Sequence, residues 1–433
     1  MRKALVLALA ASIAVPGAAI AQPAPAATEA AAQNPLEARA DQVIGVINGT
    51  VAPDAVFSQA FFAAVPSAQL KSVSASLTTQ FGQAVAVDLL DPRDGTRAVL
   101  HVRFERGLAK GSIAIAPDEG NRVSELLFTA FDSLAVAGDT PAAITADLAA
   151  LPGSVNAWFA PLDGGAPTII IGADKPLALG STFKLYVLAA LAEDVKAGHR
   201  KWTDVTALTE KSYPSGRLQD WPQGAPMTLH SLASLMISIS DNTATDQLIA
   251  VLGKPRILKL MMDSGHADPG ANDPFLTTRE LFMMKGGPDS RVAAYRAGDA
   301  AVRSAILDSL ANQTVSLDAV NAGFAAGPKA LDIEWFASPA DLAKLLAYMR
   351  RTADPACFEI MAINPSATPA ILANWNYLGF KGGSEPGVIN LTWLLTDKAG
   401  RDHLLTLGWN NPAAAVDEGK LETIAQRILL LPH

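Results

Sequence analysis

The stretch ALGSTFKLYVLAAL, residues 178–191, decides the reading of this chain. It is apolar except for a few residues, and two of those, Ser181 and Lys184, stand three apart where a helix is expected to start. Residues three apart on a helix share a face, so the Lys184 amine is within reach of the Ser181 hydroxyl. A serine hydroxyl is a poor nucleophile until a base removes its proton. A lysine serves as that base when burial and neighbouring cations lower its hold on a proton. Leu179, Phe183, Val187 and Leu188 supply the apolar surroundings. Taken alone, S-x-x-K reads sooner as a serine N-cap followed by a solvated lysine in the first turn.

Two further stretches change that balance. TLHSLASLMISISDNTATDQLI, residues 228–249, places Leu229, Leu232, Met236 and Ile239 at helical spacing, with Thr228 as N-cap. Ser240-Asp241-Asn242 then interrupts the pattern before a second helix near Thr243. The Ser240 hydroxyl can pass a proton to a leaving group. The Asn242 amide can hydrogen-bond a substrate amide and the Lys184 side chain. In LGFKGGSEPGV, residues 378–388, Lys381 ends a strand-like run and can hold a substrate carboxylate. Gly382 and Gly383 let the backbone approach a ligand without a Cβ in the way. The backbone N–H of Ser384 can join that of Ser181 in an oxyanion hole.

S-x-x-K, S-D-N and K-[TSG]-G in this order resemble the class A β-lactamase type of serine hydrolase. YPSG, residues 213–216, is similar to the family's aromatic cleft edge, which makes Tyr213 a substrate contact by resemblance. The resemblance implies a five-stranded antiparallel sheet with a helical subdomain. It also implies Ser181 as acylated nucleophile, Lys184 as base, Ser240 as proton shuttle, and Asn242 and Lys381 as substrate contacts. No E-x-x-L-N segment, which carries the family's deacylating glutamate, occurs in the sequence. Glu280 and Glu334 are the candidate replacements. A solvated or salt-bridged carboxylate is the alternative reading of each. The family's threonine in the third motif is here Gly382, so one hydroxyl contact to a substrate carboxylate is lost, with Ser384 as a substitute. These departures predict slow turnover of β-lactams or a preference for esters. A cephalosporin esterase, a D-alanyl-D-alanine-directed peptidase and a penicillin-recognising binder without turnover are the competing readings.

The rest of the chain sets the frame. Its 433 residues exceed one small core, and 50% hydrophobic with 18% charged residues fits a globular protein. The net charge of −8 and the absence of a basic run disfavour nucleic acid as a partner. A small-molecule substrate is expected, with no cofactor and no metal. Arg2, Lys3, an apolar run and Ala19-Ile20-Ala21 read as a secretory signal cleaved after Ala21, hence a periplasmic or secreted protein without a membrane anchor. Cys357 is the only cysteine, which excludes an intrachain disulfide and reads as a buried structural residue. Residues 22–35 are an Ala/Pro spacer.

Residues 36–138 place helices before four strand-like runs, a small α+β domain. In one run Ala98, Leu100, Val102 and Phe104 alternate with polar residues, the mark of a half-buried strand. Residues 141–433 form the hydrolase-like domain, its sheet built from both ends of the segment. The fold class is thus an α+β / α/β multidomain chain. The two-domain order resembles the β-lactamase-like protein type of the clavulanic acid cluster, whose small domain is NTF2-like, similar to the steroid isomerase and polyketide cyclase cone.

Overall fold

A computed structural model describes residues 34–133, 139–311, 313, 317–325 and 327–432. The signal-like start, the spacer as far as residue 33, and residues 134–138 at the end of the expected first domain lie outside the described residues. The chain divides into two compact units, Met1–Ala137 and Gly138–His433.

In the first unit a helix starts at Pro35, inside the expected spacer, because Asn34 caps it by accepting from the Leu36 N–H. Short helices and a longer one, Ser67–Phe81, follow. Four strands then form an antiparallel sheet in sequence order: β1 (Ala84–Pro92), β2 (Arg97–Phe104), β3 (Gly107–Ala116) and β4 (Arg122–Ser133). The period of two in β2 is real. Ala98, Leu100, Val102 and Phe104 are buried among Leu36, Val43, Phe57 and Ile113.

The second unit opens with a helix, Pro141–Ala149, capped by Thr140, and continues into β5 (Ser154–Pro161) and β6 (Ile169–Ile171). Short strands follow: β7 (Leu177–Ala178), β8 (Val205–Ala207), β9 (Pro226–Thr228) and β10 (Phe336–Ala337). Near the end come β11 (Tyr377–Glu385), β12 (Val388–Thr396) and β13 (Asp402–Asn410). Five of these make one antiparallel sheet in the order β11-β12-β13-β5-β6, so the two ends of the unit meet in one sheet. β12 is buried along almost its whole length because both faces are covered. Leu391, Trp393 and Leu395 pack with Ile144, Leu421, Ile424 and Ile428 on one face. Leu394 and Leu404 pack with the helical layer on the other. Asn390 and Thr392 are polar but buried too, with the Thr392 hydroxyl bonded to Asn390 Oδ1 and to the Thr406 hydroxyl.

At the centre of the helical layer lies the helix Lys184–Lys196, whose residues Lys184 to Ala192 are all buried. A helix without a polar face must be surrounded, and this one packs on Leu232, Leu248, Leu260 and Leu345. Cys357 is buried nearby, its thiol pushed up to about 12 by burial. Among the described residues no helix is long and apolar enough to cross a membrane.

The helix Pro339–Thr352 starts with a capping box. Ser338 accepts from the Asp341 N–H, and the Asp341 carboxylate accepts from the Ser338 N–H. Ser338→Ala is expected to cost about 1 kcal/mol. Differential scanning calorimetry should show the transition of this unit lower by about 2–4 °C.

Candidate active site

Ser181 lies in a tight 3₁₀ turn, Gly180–Phe183, that runs directly into the buried helix. Three contacts fix the turn. The Leu179 N–H donates to Trp335 O at 2.9 Å. The Phe183 ring stacks on Trp335, with centroids 3.6 Å apart and planes 11° apart. The Thr182 hydroxyl reaches Asn390 O at 3.3 Å and Lys381 O at 3.4 Å. The nucleophile candidate is therefore held from the β10 side and from the β11–β12 side at once.

Lys184 is fully buried. Its amine donates to Ser240 O at 2.7 Å, Ser240 Oγ at 3.0 Å and Asn242 Oδ1 at 2.7 Å. None of its hydrogen bonds goes to Ser181 Oγ. The carbonyl and amide oxygens are the stronger acceptors, and they draw the amine toward the S-D-N turn. Asn242 Nδ2 donates in turn to Tyr213 O at 3.1 Å, so this amide ties the amine to the YPSG segment. Ser240 has φ 58°, a left-handed conformation that costs a non-glycine residue on the order of 1 kcal/mol. That twist lets the Ser240 carbonyl and hydroxyl both face Lys184. Asp241 holds the turn: its carboxylate accepts from the N–H groups of Arg217, Leu218 and Ala244.

Lys381 approaches the same hydroxyl from β11. Its amine donates to Ser240 Oγ at 3.2 Å and to Gly382 O. Ser240 Oγ thus sits between two amines. Burial first, and then the Lys381 charge, hold the Lys184 amine well below the usual lysine range, against an opposing pull from Asp246 and Asp241. Burial pushes Lys381 down to about 7.

The hairpin register explains the oxyanion geometry. Glu385 and Val388 pair across a two-residue loop, Pro386-Gly387, which makes them the closing hydrogen-bonded pair of the β11–β12 turn. Pairs alternate outward from there, so the Ser384 N–H and C=O point away from β12. β11 is an edge strand, and what lies beyond that edge is the Ser181 turn. A Cβ on Gly180 would stand 2.9 Å from Ser384 N, and one on Gly383 would overlap Ser181 N and Leu179 O. The Ser181 and Ser384 N–H groups are brought together by two glycines that allow this approach. Gly180 also has φ +51°, which favours glycine.

The sequence model of the beta-lactamase enzyme family matches residues 140–363, just over half of the chain. The chain belongs to the β-lactamase enzyme family. Solved structures with similar folds include a β-lactamase from Sphaerobacter thermophilus (23% identity, 68% of this chain and 95% of that one, TM-score 0.47). Others are PBP-A (18%, 67% and 93%, TM-score 0.46) and a β-lactamase from Chitinophaga pinensis (16%, 66% and 96%, TM-score 0.47). No curated protein matches the chain.

This β-lactamase-family chain has its candidate deacylation bases engaged elsewhere. Glu280 closes a capping box with Thr277 and pairs with Lys254 at 2.7 Å, so both its oxygens are occupied. Glu334 is buried against Lys285 at 3.2 Å, and its other oxygen accepts from the Trp335 N–H. Neither has a hydrogen bond to Ser181, Lys184 or Ser240. Sequence reading passed over Lys285, whose amine bonds Glu385 as well as Glu334. It also passed over Glu385, which strand alternation places on the Lys381 and Gly383 face. Phe380 was passed over too. Its ring would lie 2.8 Å from a Cβ on Gly382 and is pinned against Trp393 at 4.5 Å, so it fills the space a threonine would need.

A cavity of about 190 Å³ lies beside Asn272, Tyr295, Arg303, Asp332 and Trp335, and Ser181, Lys184, Ser240 and Lys381 do not line it. Gly383→Ala should cost about 1–3 kcal/mol from overpacking against the Ser181 turn. Gly95→Ala, with nothing within 4 Å of its Cβ, should stay within about 0.5 kcal/mol. Denaturant titration of the two variants checks the contrast.

Proposed function

We propose that this chain is a serine hydrolase of the class A type that opens β-lactams through an acyl-enzyme at Ser181. The observation that carries the reading is the fully buried Lys184 amine, bonded to Ser240 and Asn242 and depressed by burial and by Lys381. In its neutral form the amine keeps two of its three donor contacts, and the lone pair that replaces the third N–H is what takes the Ser181 proton. The hydroxyl oxygen then attacks the lactam carbonyl, and the charge on that oxygen develops against the Ser181 and Ser384 N–H groups. When the C–N bond breaks, the proton passes from Lys184 through the Ser240 hydroxyl to the leaving nitrogen. Ser240 Oγ, at 3.0 Å from one amine and 3.2 Å from the other, is placed for this transfer. Lys381 and the exposed Ser384 receive the substrate carboxylate, and Asn242 and Tyr213 line the amide side.

Deacylation is the slow half of this reaction, because Glu280 and Glu334 are held in other contacts. We read the protein as exported. The first unit we read as an NTF2-like cone that packs or positions rather than catalyses.

The test is a chromogenic cephalosporin followed by absorbance and by intact mass. Wild type should open the lactam and show a transient adduct, and Ser181→Ala should lose the reaction by about 10⁴-fold or more. Release of acetate with the ring intact would instead make it an esterase, and a permanent adduct without turnover would make it a binder.

Lys381 adds a pH signature. Its charge is complete below its depressed value of about 7 and is lost as pH rises through it. kcat/KM for a carboxylate-bearing substrate should therefore fall above neutrality, by up to about tenfold per pH unit once the amine is mostly uncharged. A neutral ester substrate, assayed over the same range, should not show that fall.

A further inference from the structure

Behind the oxyanion edge lies a buried group of three charged side chains that the proposed reaction does not use. Lys285 ends the helix Thr278–Lys285, Glu334 precedes β10, and Glu385 is the last residue of β11. The side chains of Lys285 and Glu334 are fully buried and that of Glu385 is 4% exposed. Lys285 Nζ meets Glu334 Oε1 at 3.2 Å and also Glu385 Oε1. Glu385 Oε2 is buried with no hydrogen-bond partner.

Each acid is joined to a wall of the site. Glu385 follows Ser384, whose N–H faces the Ser181 turn. Glu334 precedes Trp335, whose carbonyl accepts from Leu179 and whose ring stacks on Phe183. The three groups thus link the two segments that bracket residues 179–184.

Two carboxylates and one ammonium in a dry site leave one negative charge uncompensated, which is costly. A bare oxygen beside a second carboxylate is where a proton relieves that cost, by turning Glu385 into a donor. We infer that Glu334, Lys285 and Glu385 form a one-proton clamp, and that they are positioning residues which hold the Ser384 end of β11 against the Ser181 turn. The inference rests on the hydrolase reading for its effect on rate, but the clamp itself does not.

The electrostatics agree. Burial raises the Glu385 carboxyl to about 8, Lys285 opposes the rise and Glu334 reinforces it. Burial lowers Lys285, but Glu334 and Glu385 outweigh it and hold the ammonium on. Asp332, held low mainly by Arg296, adds a further charge that feels Lys285. The Ser181 turn (Gly180–Phe183) and β12 bring no charged side chain to the cluster.

The experiment uses the full chain. Hydrogen exchange of peptides spanning 178–184 and 380–388 is followed by mass spectrometry in wild type, Glu385→Gln and Glu385→Ala. The rate of acylation by a chromogenic cephalosporin is measured alongside. Glutamine keeps the shape and a donor, so both readouts should stay within about twofold of wild type. Alanine should speed exchange in both peptides and slow acylation about ten- to a hundredfold, with KM far less changed.

Exchange and acylation unchanged in Glu385→Ala overturn the clamp. Glu385→Gln as impaired as Glu385→Ala also overturns it, because the carboxylate itself would then be required. Should Glu385→Ala fail to fold, the wild type decides. Raised from about pH 7 to about pH 9.5, it loses the clamp proton and should loosen beyond intrinsic exchange, while Glu385→Gln should not. A flat response in both overturns the inference. A wild type that loosens in this way yet never acylates sinks the hydrolase reading and leaves the clamp standing.

Discussion

The burial of the Lys184 amine is the constraint on which the rest depends. The helix behind it, Leu185 to Ala192, is apolar on every side and is enclosed by the helical layer, so its first residue is taken in with it. An ammonium in such a place must find a carboxylate or give up its proton. The two nearest acids are not free to pair. Asp241 accepts three backbone N–H groups, and Asp246 accepts the N–H groups of Thr278 and Arg279 and the Thr278 hydroxyl. Burial even raises Asp246 to about 6, so its own charge is weakened. What remains around Lys184 is a carbonyl, a hydroxyl and an amide oxygen. These accept from the amine without compensating a charge, so burial favours its neutral form.

The second constraint is the edge of the sheet. A free edge strand exposes every other N–H and C=O, and such edges are usually covered or paired. Here β11 is covered by the Ser181 turn, and the cover is so close that glycine is required on both sides, at Gly180 and Gly383. An unpaired Ser384 N–H beside the Ser181 N–H follows from that packing and from the two-residue loop setting the hairpin register. The pairing of these two N–H groups is thus a consequence of how one sheet edge is closed.

How much of this was legible depended on whether a feature is local. The alternation in β2 is local, and it describes the strand as it stands. The three motifs were legible because each is a short string. The contact between Ser181 and Lys184 was inferred from helical spacing alone. The amine instead turns to Ser240 and Asn242, because the Ser181 turn is 3₁₀ and stronger acceptors lie opposite. The left-handed Ser240 left no trace in the string, since only tertiary contacts hold a serine there. Lys285 was invisible for the same reason: nothing near it in sequence distinguishes a buried lysine from a solvated one. Glu385 was half legible, since counting two residues from Gly383 puts it on the site's face, but its partner Lys285 lies 100 residues away in the chain, and the other partner of Lys285, Glu334, lies 49 residues from it.

The third motif shows how a departure from a family pattern is absorbed. A threonine at position 382 would meet the Phe380 ring, which Trp393 holds in place. Glycine there is therefore part of the packing of β11 against β12 and not a loss at one position alone. The charge that would receive a carboxylate is then concentrated on Lys381, whose amine also contacts Ser240. One cation has two opposed properties: as a charge it depresses Lys184, and as a buried amine near neutrality it is itself close to losing that charge. Protonation of Lys381 and deprotonation of Lys184 favour one another across the Ser240 hydroxyl, so the charge states of the two amines are coupled through a single side chain.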